Sequence, residues 1–485
     1  MGFLHLFSSL GISSPPKELG VPIVCQDPEK VPVRPSKVAP HQRVLLLRGP
    51  RQPYEEVSDH PTPSLDGNRE FLVRNLVIGL NPIDWKAPDF NFGIPELPYI
   101  SGRELVGEVA ITPKRKSRFR PGDKVIVIST DYRDLRKAAY QEYVVATDFN
   151  AARLPPRVSP EAGSALGVAF VAAALCLGIC AGLDFSSIAN GPDLLSLVRG
   201  IDPERLPEDI RAECLNGIDQ ESRAKKGDWI AVWGGSSTSA YMINQIARLA
   251  GLKTISVVDV RKHAVKMSAN DITRPDIVVD NHDPHRAIEI VRSATGKRLR
   301  FAVDTVGRET ATHLLECLQQ HYANEDDPPS ATESTPQPAH LIGLTGLPKS
   351  SPPSNVTFHN VPIKLFHEVP EVGESMMLWL ERLLATGLLV PPNILGVEEG
   401  FSSVNRALDS MRRGELVWHL SYIFNHSQPC IRIGKAAITW TPRDASSDGQ
   451  NFDLISTKSM NLFDRLADPV AMVPLPLAKP TTPTT

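Results

Sequence analysis

Apolar residues recur along this chain with two different spacings. Between residues 42 and 146 they come in short runs separated by turn residues: "QRVLLLRG" (42–49), "EFLVRNLVIGLNPIDWK" (70–86), "GRELVGEVA" (102–110), "RPGDKVIVIS" (120–129) and "YQEYVVA" (140–146). Several short strands with Pro-Gly and similar turns between them, and no long helical period, predict a β-rich, barrel-like unit. After about residue 225 strands alternate with helical segments. "DWIAVW" (228–233), "TISVVD" (254–259), "DIVVD" (276–280), "RFAVDTVG" (300–307) and "HLIGLTGL" (340–347) are strand-like, with helical periods after 235, near 284–294 and at 308–320. That alternation predicts βαβ units around a parallel sheet. Two amphipathic helices are expected at 372–389 and 402–414.

Residues 162–183, "AGSALGVAFVAAALCLGICAGL", carry no charge and are long enough to cross a bilayer. Their Ala and Gly content and the lack of a flanking basic cluster favour a helix packed closely inside the protein, so no membrane partner is expected. Residues 1–42 read as an irregular Pro-rich tail, 186–225 as an insert of short helices and loop, 322–338 as a disordered acidic loop, and 426–485 as an irregular C-terminal tail. The main units are then 43–185 and 226–350.

Composition changes this picture little. Of 485 residues 41% are apolar and 22% charged, and the net charge of -3 gives no reason to expect nucleic acid. The six cysteines, at 25, 176, 180, 214, 317 and 430, include no C-x-x-C pair, which favours free thiols in a reducing compartment. The N-terminus has neither a basic region with a cleavage site nor a myristoylation pattern, so a cytoplasmic location is expected.

The stretch "WGGSSTSAYMINQIARLAG" (233–251) carries the first candidate chemistry. A dinucleotide site needs close backbone approach to a pyrophosphate, N–H groups aimed at it and a helix N-terminus facing it. Gly234 and Gly235 allow the approach. Ser236, Ser237, Thr238 and Ser239 offer hydroxyls and N–H groups, and Ser237 or Thr238 can cap the helix. Ala240 is small where helix meets sheet. The alternative is a serine-capped helix with no ligand. Asp259, Arg261 and Lys262 follow the second strand. An acidic residue there favours NADH and a basic one the 2′-phosphate of NADPH, so the pair leans towards NADPH with NADH as the alternative.

Several segments together make the chain resemble the medium-chain dehydrogenase/reductases: "VIGLNPIDWK" (77–86), "GRELVGEV" (102–109), "RPGDKV" (120–125), "AYQEYVV" (139–145), the Gly-Gly loop and "FAVDTVG" (301–307). The resemblance implies an α/β protein with a GroES-like β-barrel catalytic domain and a Rossmann doubly wound parallel sheet, the cofactor lying between them. It looks like the zinc-independent branch. Arg103 stands where zinc-dependent members have a ligand histidine, and the cysteines of their structural zinc site are missing after "GDKV". Among members, fungal enoyl-reductase-like and quinone-oxidoreductase-like proteins are most similar. The resemblance implies roles beside the cofactor for Asn81, Asp84 and Lys86, phosphate contacts at 236–239, and adenosine or nicotinamide contacts at Asn281, Thr345 and Gly346.

The activity so implied is hydride transfer from NADPH to an activated C=C of an enone, quinone or enoyl thioester, without zinc, on a small-molecule substrate. Lys86 and Asn81 would stabilise charge on the substrate oxygen. Some relatives place a proton-donating Tyr where this chain has Phe92, which leaves Tyr99 and Tyr140 as substitutes or as ordinary barrel residues. The basic run "KRKSRFR" (114–120) suggests an acyl-carrier or CoA thioester partner, or simply a solvated turn. The rival reading is a cofactor-binding sensor or interaction protein with little catalysis. The protein is expected to be a monomer or homodimer. The family's closing C-terminal strand is not visible after "MRRGELVWHL".

Overall fold

The computed structural model describes residues 38–268, 270–319, 337–394, 396–414, 420–425 and 430–435. The expected acidic loop, most of the N-terminal tail and most of the C-terminal tail lie outside the described residues.

The second half of the chain forms the expected parallel sheet. Its six strands run in the order Ile277–Asp280, Lys253–Val258, Trp229–Trp233, Phe301–Asp304, Ala339–Gly343 and Val356–Asn360. The chain moves outward from Trp229–Trp233 in one direction, then returns and builds outward in the other. The C-terminal ends of Trp229–Trp233 and Phe301–Asp304 therefore flank the switch point where ligands of such sheets bind. The sixth strand was not read from the sequence, since "VTFHN" is short and half polar. The expected 340–347 strand stops at Gly343, and Leu344 N–H turns back to the Asp304 carbonyl.

The first half forms a curled antiparallel sheet around Glu70–Leu80, which pairs with Glu104–Ile111, Tyr143–Thr147 and Leu420–Asn425. A small sheet of His41–Leu47, Glu55–Pro61 and Tyr99–Ile100 lies beside it. The apolar run 70–86 is not one strand. It ends at Leu80, and Asn81-Pro82 starts helix Ile83–Phe90, which carries Asp84 and Lys86.

Closure of the curled sheet corrects the sequence reading. Leu420 pairs with Leu80 and Ser421 with Gly79, and Cys430–Lys435 runs antiparallel to Leu420–Asn425. So 430–435, expected in an irregular tail, forms a strand. Its neighbour Leu420–Asn425 pairs on the barrel with a strand about 340 residues earlier in the chain, and no local period signals such pairing.

The uncharged 162–183 run lies inside the protein, with only Ala162, Val168 and Ala172 partly exposed. It breaks into helices Pro160–Ser164 and Gly167–Leu175 followed by a π-turn, Cys176–Cys180. A Cβ on Gly167 would stand 2.6 Å from Ile128 Cγ1, so only glycine permits this approach. No described helix is long and apolar enough to cross a membrane. Gly167–Leu175 packs against helix Thr238–Leu249 and joins the two halves. The 186–225 segment is not peripheral. Leu194, Leu195, Val198, Cys214 and Ile218 lie in the same core as that helix and the parallel strands. Helix Pro370–Thr386 closes this core through Trp379, whose ring stacks on Phe185 at 4.5 Å and whose Nε1 donates to the Ile188 carbonyl at 3.0 Å.

Candidate cofactor and active site

At the switch point the chain leaves strand Trp229–Trp233 through two glycines. Gly234 has φ +76°, and a Cβ on it would stand 2.4 Å from Thr305 Oγ1. A Cβ on Gly235 would stand 2.5 Å from that of Ser256. Both positions therefore require glycine, one for conformation and both for space. Ser237 is the N-cap of helix Thr238–Leu249. Its Oγ accepts from Ala240 N–H at 3.0 Å and donates to Thr305 Oγ1 at 2.9 Å. That hydroxyl is committed to the fold. Thr238 differs: it is buried, and its Oγ1 has no hydrogen-bond partner among the described residues.

Thr238 lines a cavity of about 160 Å³ with Gly235, Ser236, Asn244, His263 and Lys266. The basic side of this cavity was not foreseen. On helix Val260–Met267, His263 and Lys266 face inward, one turn apart, while Arg261 and Lys262 are exposed at its start. The Lys262 ammonium pairs with Asp259 at 3.0 Å, and Asp259 caps the helix. Burial lowers the Lys266 ammonium to about 8 and also lowers the His263 imidazolium. The 3.6-residue period counted from the Asp259 cap could have separated these two pairs.

Across the switch point Asp304 ends its strand fully buried. It accepts from Val306 N–H at 3.0 Å, Gly307 N–H at 2.6 Å and Thr310 Oγ1 at 2.6 Å, and burial pushes its carboxyl up to about 6. The exposed Thr345 reaches the same carboxyl. The segments 234–239, 305–307 and 345–346 are thus gathered at one sheet edge. Asn281 follows the neighbouring strand and donates its N–H to the Val258 carbonyl at 2.9 Å.

On the barrel side the Asn-Pro-x-Asp-x-Lys segment divides by burial. Asp84 is fully buried and accepts from Asn81 N–H at 2.8 Å, from Ser101 Oγ at 3.3 Å and from the Tyr140 hydroxyl. The Asn81 amide donates to Glu104 Oε1 at 3.0 Å. Tyr140, weighed as a proton donor, is wholly buried behind Asp84, edge-on to Tyr54. Tyr99 is buried as well, its hydroxyl accepting from Arg103 Nη2 at 2.7 Å. Lys86 is half-buried, with its ammonium 5.7 Å from the Trp85 ring centre and its pKa lowered by burial. The apolar side chains of Phe90, Phe92 and Leu97 that follow it are exposed. In the basic run 114–120, Arg115 pairs with Asp148 at 2.9 Å and Arg118 with Glu381, leaving Lys114, Lys116 and Arg120 to solvent.

Residues 67–156 match the alcohol dehydrogenase GroES-like domain. A trans-enoyl reductase of Gibberella zeae is 26% identical over 375 residues, 73% of this chain and 89% of that protein. A dehydrogenase of Monascus ruber is 25% identical over 58% of this chain and 69% of its own. A mycobacterial quinone oxidoreductase superposes with a TM-score of 0.54 at 18% identity, covering 79% of this chain and 99% of that one. The NADPH complex of the Escherichia coli quinone oxidoreductase superposes with a TM-score of 0.53 at 17% identity, over 77% and 96% of the two chains. The chain is thus similar to medium-chain dehydrogenase/reductases, in sequence through the GroES-like domain and the fungal reductases and in fold through the quinone oxidoreductases.

In this chain the residue before Glu104 is Arg103, whose guanidinium has five donors and no acceptor or lone pair for a metal. It lies 3.7 Å from the Tyr132 ring centre, bonds Tyr99 and provides the positive charge near Asp84. Beside it Glu104 is fully buried, accepting from Asn81 and from Val168 N–H, and burial pushes its carboxyl up to about 7. A carboxyl raised from 4.5 to about 7 stabilises the fold fully below 4.5, and that contribution is lost as pH rises through about 7. Urea unfolding at a series of pH values should show wild-type stability falling across this window by at most about 3 kcal/mol more than in Glu104→Gln. Asp304 leaves a shallower slope in both proteins. Parallel curves would show that Glu104 stays ionised.

Proposed function

We propose that the chain is an NADPH-dependent oxidoreductase that delivers hydride to the β-carbon of an activated C=C, in an enone, quinone or enoyl thioester, without zinc at the family's catalytic position. The observation that carries the cofactor half is the unpartnered, buried Thr238 hydroxyl in a cavity shared with Ser236, His263 and Lys266, at the edge where the glycines let a diphosphate approach. The relatives named as enoyl reductases and the neighbours named as quinone oxidoreductases support the same reaction class.

The diphosphate would lie against the helix N-terminus at 236–239, with Thr238 donating to it. Arg261 and Lys266 would bracket the ribose 2′-phosphate, Asn281 would border the adenosine, and Thr345 and Gly346 the nicotinamide side. The cofactor, when bound, supplies the hydride. Arrival of that electron pair at the β-carbon moves the π-electrons onto the substrate oxygen. The Lys86 ammonium is the cation on this segment with no hydrogen bond or ion pair among the described residues, and would stabilise that oxygen. Asn81, Asp84 and Tyr140 hold the turn that positions Lys86. The proton completing the reduction comes from Lys86 or solvent, since Tyr99 and Tyr140 are both enclosed. The exposed Phe90, Phe92 and Leu97 give an apolar substrate a surface to rest on.

The test is NADPH oxidation against a panel of enones, quinones and crotonyl thioesters. Turnover is expected with at least one class, and Lys86→Ala should lower kcat at least tenfold. Tight NADPH binding without turnover on any class would favour the sensor reading. On the same preparations, Arg261→Ala and Lys266→Ala should weaken NADPH much more than NADH, and equal effects would remove the NADPH preference.

A further inference from the structure

Three of the four described free cysteines, 176, 180 and 214, gather at one place in the core, away from the cofactor edge. Cys176 and Cys180 begin and end the π-turn after helix Gly167–Leu175. Helix Glu208–Asn216 brings Glu213 and Cys214, strand Val356–Asn360 brings His359, and strand Ala339–Gly343 brings His340. Cys180 Sγ, a Glu213 carboxylate oxygen and a His359 ring nitrogen all lie within 4.8 Å of one another. Cys180 and His359 are fully buried, while the Glu213 side chain is 16% exposed.

The arrangement behind these atoms is ordered. His359 Nδ1 is 2.7 Å from Glu213 Oε1, and the Cys180 thiol bonds the same carboxylate. His359 Nε2 is 2.9 Å from His340 Nδ1. His340 Nε2 is buried with no hydrogen-bond partner among the described residues. A metal-binding imidazole is oriented by donating its outer N–H to an acceptor, and the His340 Nδ1 beside His359 Nε2 stands where such an acceptor would be.

We infer that Cys180, Glu213 and His359 form a site for a thiophilic divalent cation of the zinc type, distinct from both zinc positions of the family. A thiolate, a carboxylate and an imidazole are borderline-soft ligands suited to such an ion. Their two negative charges neutralise it, so the core becomes uncharged on binding. The balance is simple. The Cys180 thiol loses one proton to solvent. The proton on His359 Nδ1 gives way to the ion while Nε2 takes the proton of His340 Nδ1, and His340 is reprotonated on Nε2 by the Nδ1 proton displaced from His359. One proton is released per ion. The exposed edge of Glu213 is the way in. The ion would tie the 208–216 helix to the last parallel strand and to the π-turn, three segments remote in sequence.

The experiment is titration of the chelator-treated full chain with Cd²⁺ under a phosphine reductant, following thiolate-to-metal charge-transfer absorbance and proton release. The expected result is a band saturating at one equivalent, one proton released, and a higher Tm with Zn²⁺. Cys180→Ser should lose that equivalent, Glu213→Gln should weaken it at least tenfold, and Cys317→Ser should bind as wild type. Absence of the band, or a band unchanged in Cys180→Ser, would overturn the site and leave a closed hydrogen-bonded network. Should Cys180→Ser fail to fold, Glu213→Gln decides: its side chain is at the exposed edge, and unchanged Cd²⁺ affinity in it overturns the inference equally.

Discussion

Ser237→Asp should bind NADPH more than a hundredfold more weakly than wild type and yet unfold at nearly the same temperature. Asp caps helices as well as Ser, so the bond from Ala240 N–H survives and Thr305 can donate to the carboxylate. What changes is charge. A carboxylate about 5 Å from a phosphate at an effective dielectric near 20 costs about 3 kcal/mol, which is more than two orders of magnitude in affinity. Ser237→Ala should do the reverse, losing about 1 kcal/mol of stability with the cap and binding NADPH with little change, because the Ser237 hydroxyl is engaged by the fold. Isothermal titration with NADPH beside thermal unfolding separates the two. Unchanged affinity in Ser237→Asp would show that this helix terminus does not face a phosphate.

Arg103→Met should cost about 3–5 kcal/mol, the largest stability effect expected of a single side chain here. Asp84 and Arg103 are both buried, at 0% and 3% exposure. Met fills much of the same space, so the loss is not mainly a cavity. It removes the positive charge beside Asp84 together with the Tyr99 bond and the face-on contact with Tyr132. The remaining carboxylate must then be buried without a counter-charge or take up a proton. Asp84→Asn combined with Arg103→Met should therefore cost less than the two single changes added together. Urea midpoints of the four proteins measure this. A wild-type midpoint in Arg103→Met would mean that the guanidinium compensates nothing.

Much of this was open to a reader of the residues. Gly234, Gly235 and the serine cap were legible because a strand-to-helix turn is local and its steric demands fall on adjacent positions. The parallel sheet was legible from the alternation of strand and helix periods, and the internal fate of 162–183 from its small residues. Less legible was which basic residues face the cavity beside Thr238. Arg261 and Lys262 come first in the chain, but the helix turns them outward and turns His263 and Lys266 in. Tyr140 looked like a candidate donor by position, and only packing against Tyr54 and Asp84 shows how completely it is enclosed.

Local order along the chain was sufficient for the two-part architecture and for the glycine turn capped by Ser237, because each depends on spacing over a few residues. Tertiary structure alone decided the rest. Closure of the curled sheet joins Leu420 to Leu80, and hydrogen bonds between strands leave no mark on the period of either one. The meeting of Cys180, Glu213 and His359 likewise unites elements far apart in sequence. Scattered cysteines read as unrelated thiols until the fold carries three of them into one core, where the low dielectric makes each neighbouring charge count.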